Sequence, residues 1–281
     1  MPDTAPPDWE RVLLAAARLQ QILPAAVLVG GTASALHAHH RSSTDADHVL
    51  SDLRDRFDAV LAELEAVAGW RTARVQRPVQ ILGNLDGIDT GIRQLIRTRP
   101  LETARVEVEG VTLTVPTAAE ILRIKAALIL RRNATRDYLD VAALTDTLGQ
   151  EATLAALANL DALYPQPTGA SALQQLAIQL AQPQPFDLKS VSLAEYKHLQ
   201  PRWHDWSEVK RVSAETAMAL FDRLGQQRAA RTLPGSAKAH NLDAQGSAQI
   251  AREPTPPPET TGQENPTAPQ DTYSPTTHDD R

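Results

Sequence analysis

The chain contains no cysteine. Disulfide scaffolding, a thiol nucleophile and a thiolate-ligated zinc site are therefore excluded. Aromatic residues are scarce: four Trp, four Tyr and three Phe make up 4% of 281 residues. With so few large rings, the core has to be built from Ala, Leu and Val, which favours helices over a β-sandwich. Long apolar runs are lacking as well. The most apolar stretch, Ile22 to Leu36, is interrupted by Pro24, Gly30, Gly31 and Thr32, and is too short and broken to span a bilayer. The opening MPDTAPPDWE is acidic and Pro-rich, unlike a secretory signal. A cytoplasmic protein with no membrane partner is the expectation. A basic excess is also missing: 28 Lys+Arg face 34 Asp+Glu, which argues against an unaided polyanion binder.

The charge that is present is unevenly placed. From Leu233 to Arg281 there are three basic and seven acidic residues, so most of the net charge of -6 sits in that tail. The tail also holds eight of the twenty prolines and only three large aliphatics (Leu233, Leu242, Ile250). A segment such as PTPPPETTGQENPTAPQ buries too little apolar surface to offset the entropy of ordering. The predicted organisation is a frayed 1–7, an α/β part over 8–116, a helical part over 117–232 and a disordered tail over 233–281.

Periodicity supplies the elements. Trp9, Val12, Leu13, Ala16, Leu19 and Ile22 fall at helical spacing, and Pro24 ends that helix. Ala26–Val29 reads as a short buried strand, Gly30-Gly31-Thr32 turns the chain, and Ala33–His40 reads as a helix. Asp45–Leu50 is a second strand and Leu53–Ala68 an amphipathic helix stopped by Gly69. Five stretches then alternate like strands: 70–75, 79–82, 88–96, 104–108 and 111–115. Their turns are marked by GNLDG and by Glu109-Gly110. After Pro116, Thr117 and Glu120 form a T-x-x-E capping box. Further helices are predicted from Asn133 and over about 151–161, 170–182 and 205–229. The fold class is α/β (α+β) in front with a helical bundle behind.

The chemistry concentrates in VLVGGTASALHAHHRSSTDADHVL, Val27 to Leu50. Glycines at the start of a helix let backbone N–H groups approach a phosphate. Asp45 and Asp47 are two apart on a strand and so share a face. Two adjacent carboxylates repel unless a cation separates them, and Mg²⁺ takes carboxylate and phosphate oxygens together. A phosphate cradle at Gly30, Gly31 and Thr32 beside this pair suits nucleotidyl transfer from an NTP. The motif is neither a Walker A loop nor a dinucleotide-binding fingerprint.

At these residues the chain resembles the DNA polymerase β-like nucleotidyltransferases, whose hG[GS]…Dx[DE] signature is matched by Val29-Gly30-Gly31-Thr32 with Asp45 and Asp47. Within that superfamily it is similar to the AbiEii-type nucleotidyltransferase toxins. AAEILRIKAALILRRNATRDYLDVAAL is similar to their K…R…RDxxD segment. The resemblance covers about residues 10–148. It implies a polymerase β-like core with a mixed sheet. It also implies Mg²⁺ (or Mn²⁺) held by Asp45, Asp47 and a third carboxylate, Asp89 or, second, Asp86. Asp86 alternatively suits a tight turn before Gly87.

Lys125 either snorkels to solvent or reaches a triphosphate; the resemblance favours the second. Asp137 and Asp140 share a helix face. They form either a buried ion-pair network with the offset Arg136, or, as the resemblance implies, a motif beside the active site that orients Lys125 or acts as a base. His37, His39, His40 and His48 crowd the same region without a convergent metal-ligand set. Arg41 reaches a phosphate or caps the short helix. The cluster PRWHDW, residues 201–206, either stacks nucleic-acid bases or pins the last helix to the bundle.

The expectation is a Mg²⁺-dependent enzyme moving a nucleotide from an NTP to a hydroxyl. The resemblance adds a tRNA or protein acceptor, a cognate antitoxin and a toxin–antitoxin or phage-defence setting. Two other readings stay open: a catalytically degenerate nucleotide- or partner-binding module, and an antitoxin-like partner acting by protein contact.

Overall fold

The computed structural model describes residues 8–232, with side chains through residue 229. The two segments expected to be disordered, 1–7 and 233–281, lie outside the described residues. Helix α1 (Asp8–Ile22) leads into β1 (Val27–Leu28), α2 (Gly30–Ala38), β2 (Asp45–Leu50) and α3 (Phe57–Glu65). Strands β3 (Trp70–Gln76), β4 (Gln80–Leu85) and β5 (Ile88–Gln94) follow, then the hairpin β6 (Thr103–Val108) and β7 (Val111–Pro116). The remainder is helical: α4 (Ala118–Arg132), α5 (Thr135–Leu148), α6 (Gln150–Leu157), α7 (Leu160–Leu163), α8 (Ala172–Ala181) and α9 (Trp206–Thr232).

Five strands form one mixed sheet in the order β1-β2-β5-β4-β3. Strands β2 and β5 run parallel, with Asp45 beside Asp89, Asp47 beside Gly91 and Val49 beside Arg93. The other neighbours pair antiparallel. This is the mixed α/β class expected from the sequence.

The sequence DADHVL fixes the orientation of β2. Ala46, His48 and Leu50 are buried, while Asp45, Asp47 and Val49 alternate onto the other face. The buried face meets α1 and α3. Leu19, Leu50, Phe57, Val60, Leu64, Ile81 and Ile92 form one apolar cluster there, and Val12, Leu13, Leu28 and Ala46 belong to a second. A third cluster joins α4, α5, α6, α8 and α9, and takes in Ala33 of α2. Helix α2 thus ties the sheet to the helices and carries the glycine corner between them.

Local details refine the expectations. The glycines do not precede α2 but form its first turn, with Val29 as N-cap. Helix α3 is shorter than the predicted 53–68, and the predicted 151–161 helix divides into α6 and α7. Thr117 caps α4 by accepting from the Glu120 N–H at 3.2 Å. The reciprocal arm of the box is absent, because the Glu120 carboxylate pairs with Arg97 and Arg123 instead. Trp203 is buried against the helical cluster, and Trp206 meets Tyr138 edge-on at 6.3 Å. These rings hold α9 in place rather than face solvent. Among the described residues, no helix is long and apolar enough to cross a membrane.

Candidate active site

The glycine corner is locked to the second aspartate. The Val29 N–H donates to the Asp47 carbonyl at 2.8 Å. Gly30 then takes φ +77°, a conformation costly for any residue with a Cβ. A Cβ on Gly31 would fall 2.8 Å from Arg41 Nη2 and 2.9 Å from Ser43 Oγ. The absence of a side chain there lets both polar groups close over the helix start. Thr32 does not share this surface, contrary to its expected place in the phosphate cradle. It is fully buried, and its hydroxyl donates to the Asp45 carbonyl at 2.5 Å. It clamps α2 onto β2.

Asp45 and Asp47 point the same way from β2. Ser43 Oγ donates to Asp45 Oδ1 at 2.7 Å, and Arg93 Nη2 lies 3.9 Å from Asp47 Oδ1. Burial, then the charge of Asp45, pushes the Asp47 carboxyl above its ordinary range, although Arg93, Arg136 and Lys125 pull the other way. Asp89 lies beside Asp45 in the strand register but is exposed and accepts from Asn84 Nδ2 at 2.9 Å. Asp86 adopts φ +54° in the β4–β5 turn and pairs with Arg18 of α1. Its role is that of the turn residue, and it does not join the pair.

Behind the corner lies a buried charge network. Lys125 Nζ is 2.7 Å from Asp140 Oδ2 and 3.8 Å from Asp137 Oδ1. Asp140 is 0% exposed. It also accepts from Arg41 Nε at 3.0 Å and Nη2 at 3.2 Å, and bonds His40 Nε2 at 2.8 Å. Burial alone would raise the Asp140 carboxyl, but Arg41, Lys125 and His40 hold it well below the usual carboxylate range. Its contacts are those of a carboxylate that orients Lys125 and Arg41 rather than one poised to accept a proton. Asp137 is equally buried and receives Arg132 through Nε at 2.5 Å and Nη2 at 2.7 Å. The two aspartates orient cations. Arg41 does not cap α2; His39 ends that helix, and the Arg41 guanidinium packs over Tyr196 at 5.5 Å.

Gly30, Gly31, Asp45, Asp47, Lys125 and Arg136 all line one cavity of about 780 Å³. Asp89, Asp137, Asp140 and Thr32 are not on its wall. Eight Arg or Lys side chains line it against three carboxylates. An interior this basic attracts a polyanion such as a triphosphate. Divalent-cation chemistry fits the aspartate pair, since Mg²⁺ is commonly held by one or two carboxylates together with substrate phosphates. A three-carboxylate centre does not fit: among the described residues, no group of three or more His, Cys, Asp or Glu is gathered to hold a metal.

Several site residues carry no signal in the sequence. Arg93, Arg97, Tyr164 and Tyr196 come from strand ends and loops far apart in the chain. Only Ser43 was close enough to Asp45 to be suspected. The histidines disperse: His37 bonds the Pro116 carbonyl at 2.7 Å, His40 goes to Asp140, and His48 is sealed in the core.

No protein-family model matches the chain. It is 38% identical over 129 residues to the "Heme uptake protein MmpL11" of Mycobacterium tuberculosis, covering 45% of this chain and 13% of that protein. It is 32% identical over 137 residues to the "Mycolic acid-containing lipids exporter MmpL11" of Mycolicibacterium smegmatis, covering 48% and 14%. The chain thus spans only about one seventh of these relatives. Among solved structures it is similar to an H. pylori protein assigned as a nucleotidyltransferase (TM-score 0.48, 15% identity, 78% of this chain and 96% of that one). It is also similar to ANT(2")-Ia in complex with adenylyl-2"-tobramycin (TM-score 0.42, 11% identity, 54% and 97%).

Proposed function

We propose that this chain is a nucleotidyltransferase that transfers a nucleotide from an NTP to a hydroxyl acceptor. The observation that carries the reading is the single cavity in which Gly30, Gly31 and the Asp45–Asp47 pair face Arg41, Lys125, Arg132 and Arg136. The first turn of α2 offers backbone N–H groups to the terminal phosphates. Arg41 and Lys125, pinned by Asp140, neutralise charge on the leaving pyrophosphate at fixed positions, which is the usual source of rate in phosphoryl chemistry. Asp45 and Asp47 would hold Mg²⁺, which would supply positive charge against the phosphates and the leaving pyrophosphate. The acceptor oxygen bonds to the α-phosphorus, the bond to the bridging oxygen breaks, pyrophosphate leaves and the hydroxyl proton passes to solvent. A tRNA or protein acceptor, and a toxin role restrained by an antitoxin in a phage-defence setting, are the finer form of this reading. They rest on the AbiEii-type resemblance.

Incubation with each α-labelled NTP, Mg²⁺ and either bulk tRNA or a protein extract tests it. Label should move to one acceptor with the parent chain and not with Asp47→Ala. A specific observation supports a second reading, a degenerate nucleotide-binding module: among the described residues, no third carboxylate gathers with Asp45 and Asp47. Tight NTP binding without label transfer to any acceptor selects that module.

A further inference from the structure

The cavity has two chemically different ends, and α4 divides them. Lys125 and Arg132 are seven apart and share one stripe of the helix, the stripe that meets Asp137 and Asp140. Ile124, Leu128 and Arg131, at i, i+4 and i+7, form the neighbouring stripe along the same wall. The same cavity is also lined by Leu95, Ile96, Leu101 and Tyr164. The sheet places Leu95: β2 and β5 run parallel past Val49 and Arg93, and the ladder continues through the Leu95 N–H to the Leu50 carbonyl at 2.8 Å. Leu95 therefore lies beyond the ends of both strands, on the side away from Asp45.

We infer that this apolar end is the nucleobase subsite, with Tyr164 as its stacking platform. The inference rests on the nucleotidyltransferase reading. With phosphates at the Gly30 corner and the α-phosphorus at the aspartate pair, the nucleoside has to leave the charged end. The strand direction leads it past Val49 to the leucines. Tyr164 is already prepared as a platform. Arg97 lies over its ring at 5.7 Å, and Arg97 is itself fixed by Glu120 at 2.7 Å and by the carbonyls of Arg99 and Pro100. A ring already fixed at the cavity wall can stack with a flat π-system at little entropic cost. Ile96, 72% exposed at the cavity edge, is an aliphatic side chain that a bound base would cover. Every base has a π-face, so the site is tolerant of base identity unless a polar group at the lobe selects one.

The test is calorimetric titration of the full chain with ATP, GTP, CTP, UTP and inorganic tripolyphosphate, each with Mg²⁺. In the parent, at least one NTP should bind about tenfold more tightly than tripolyphosphate, the difference being the base and ribose. Tyr164→Ala should remove about that factor from the NTP and leave tripolyphosphate unchanged, which also shows that the variant is folded. Tyr164→Phe should retain parent affinity for both. Tripolyphosphate binding equal to that of every NTP overturns the subsite, as does a Tyr164→Ala variant with parent NTP affinity. A Tyr164→Ala variant whose defect is confined to the acceptor KM overturns it too, by giving the lobe to the acceptor. Failure of the parent to bind NTPs and tripolyphosphate alike overturns the nucleotidyltransferase reading itself.

Discussion

Replacing Asp140 by Asn preserves the side chain's shape and removes its charge. In the folded chain that charge is shared by Lys125, 2% exposed, and Arg41, 7% exposed, with His40 as a third partner. Loss of one member of a buried ion pair leaves the other desolvated and uncompensated, which costs about 3–5 kcal/mol. Asp137 remains 3.8 Å from Lys125, but it is already committed to Arg132, so it compensates poorly. Domains of this size have a total stability of roughly 5–15 kcal/mol. Asp140→Asn should therefore fold but unfold at a clearly lower urea concentration. The companion variant is Lys125→Met, which removes the cation and keeps much of the packing. If the network is what the geometry says, Asp140→Asn/Lys125→Met will be less destabilised than the sum of the single changes.

The pH dependence supplies an independent check. Asp140 has a folded pKa held below its ordinary value of 3.8. A depressed carboxylate contributes stability above its unfolded pKa and loses it as pH falls through the folded one. The gap between parent and Asp140→Asn should thus be full at pH 7 and close on acidification below about pH 4. An Asp140→Asn chain within about 1 kcal/mol of the parent at neutral pH, or strictly additive with Lys125→Met, refutes the network as an energetic unit.

Other consequences are as direct. His48 is buried and neutral, and burial pushes its pKa down from 6.5 to about 4; the unfolded chain protonates first, so stability should fall by about 3 kcal/mol between those pH values through this residue alone. His48→Gln should flatten that slope in pH-dependent urea melts. Gly31→Ala places a methyl 2.8 Å from Arg41 Nη2 and 2.9 Å from Ser43 Oγ, groups held by Asp140 and Asp45, so both its thermal midpoint and its tripolyphosphate affinity should drop. Thr32→Val should lose about 1 kcal/mol with its bond to the Asp45 carbonyl, and Thr32→Ser should recover it. Asp89→Asn should keep parent-like Mg²⁺-dependent ATP affinity in calorimetry, because Asp89 is exposed and bonded to Asn84; Asp45→Asn or Asp47→Asn should lose it.

What the sequence made legible follows the range of the physics involved. The strand–glycine–helix corner and the alternation of Asp45 and Asp47 are local, and the backbone periodicities of 2 and 3.6 expose them. The T-x-x-E cap was visible for the same reason, but only its Thr117 half formed, because a remote arginine claimed Glu120. Thr32 was misplaced because the helix begins three residues earlier than expected. With α2 starting at Gly30 instead of Ala33, its side chain turns toward β2. Asp140 offers the sharper lesson. Its partners Arg41 and His40 lie about a hundred residues away, and no spacing rule links them. The part of the cavity wall assembled from Arg93, Arg97, Tyr164 and Tyr196 was invisible for the same reason.

That wall also explains how an acidic chain holds a basic cavity. Eight cations facing one another would expel a ligand-free fold from this arrangement unless their charge were met from behind. Asp137 and Asp140 do this without occupying the cavity, and Glu120 does the same for Arg97. Arg131 and Arg136 differ: both are exposed at the mouth, and no carboxylate lies within ion-pair distance of either among the described residues. They are the cations with charge left to give. Deep cations already neutralised by aspartates bind phosphate through geometry and donors, whereas free rim arginines act at long range and are screened by salt. Arg136→Gln should therefore slow NTP association at low ionic strength and approach the parent rate at high salt, while Arg41→Gln should instead speed dissociation at any salt concentration.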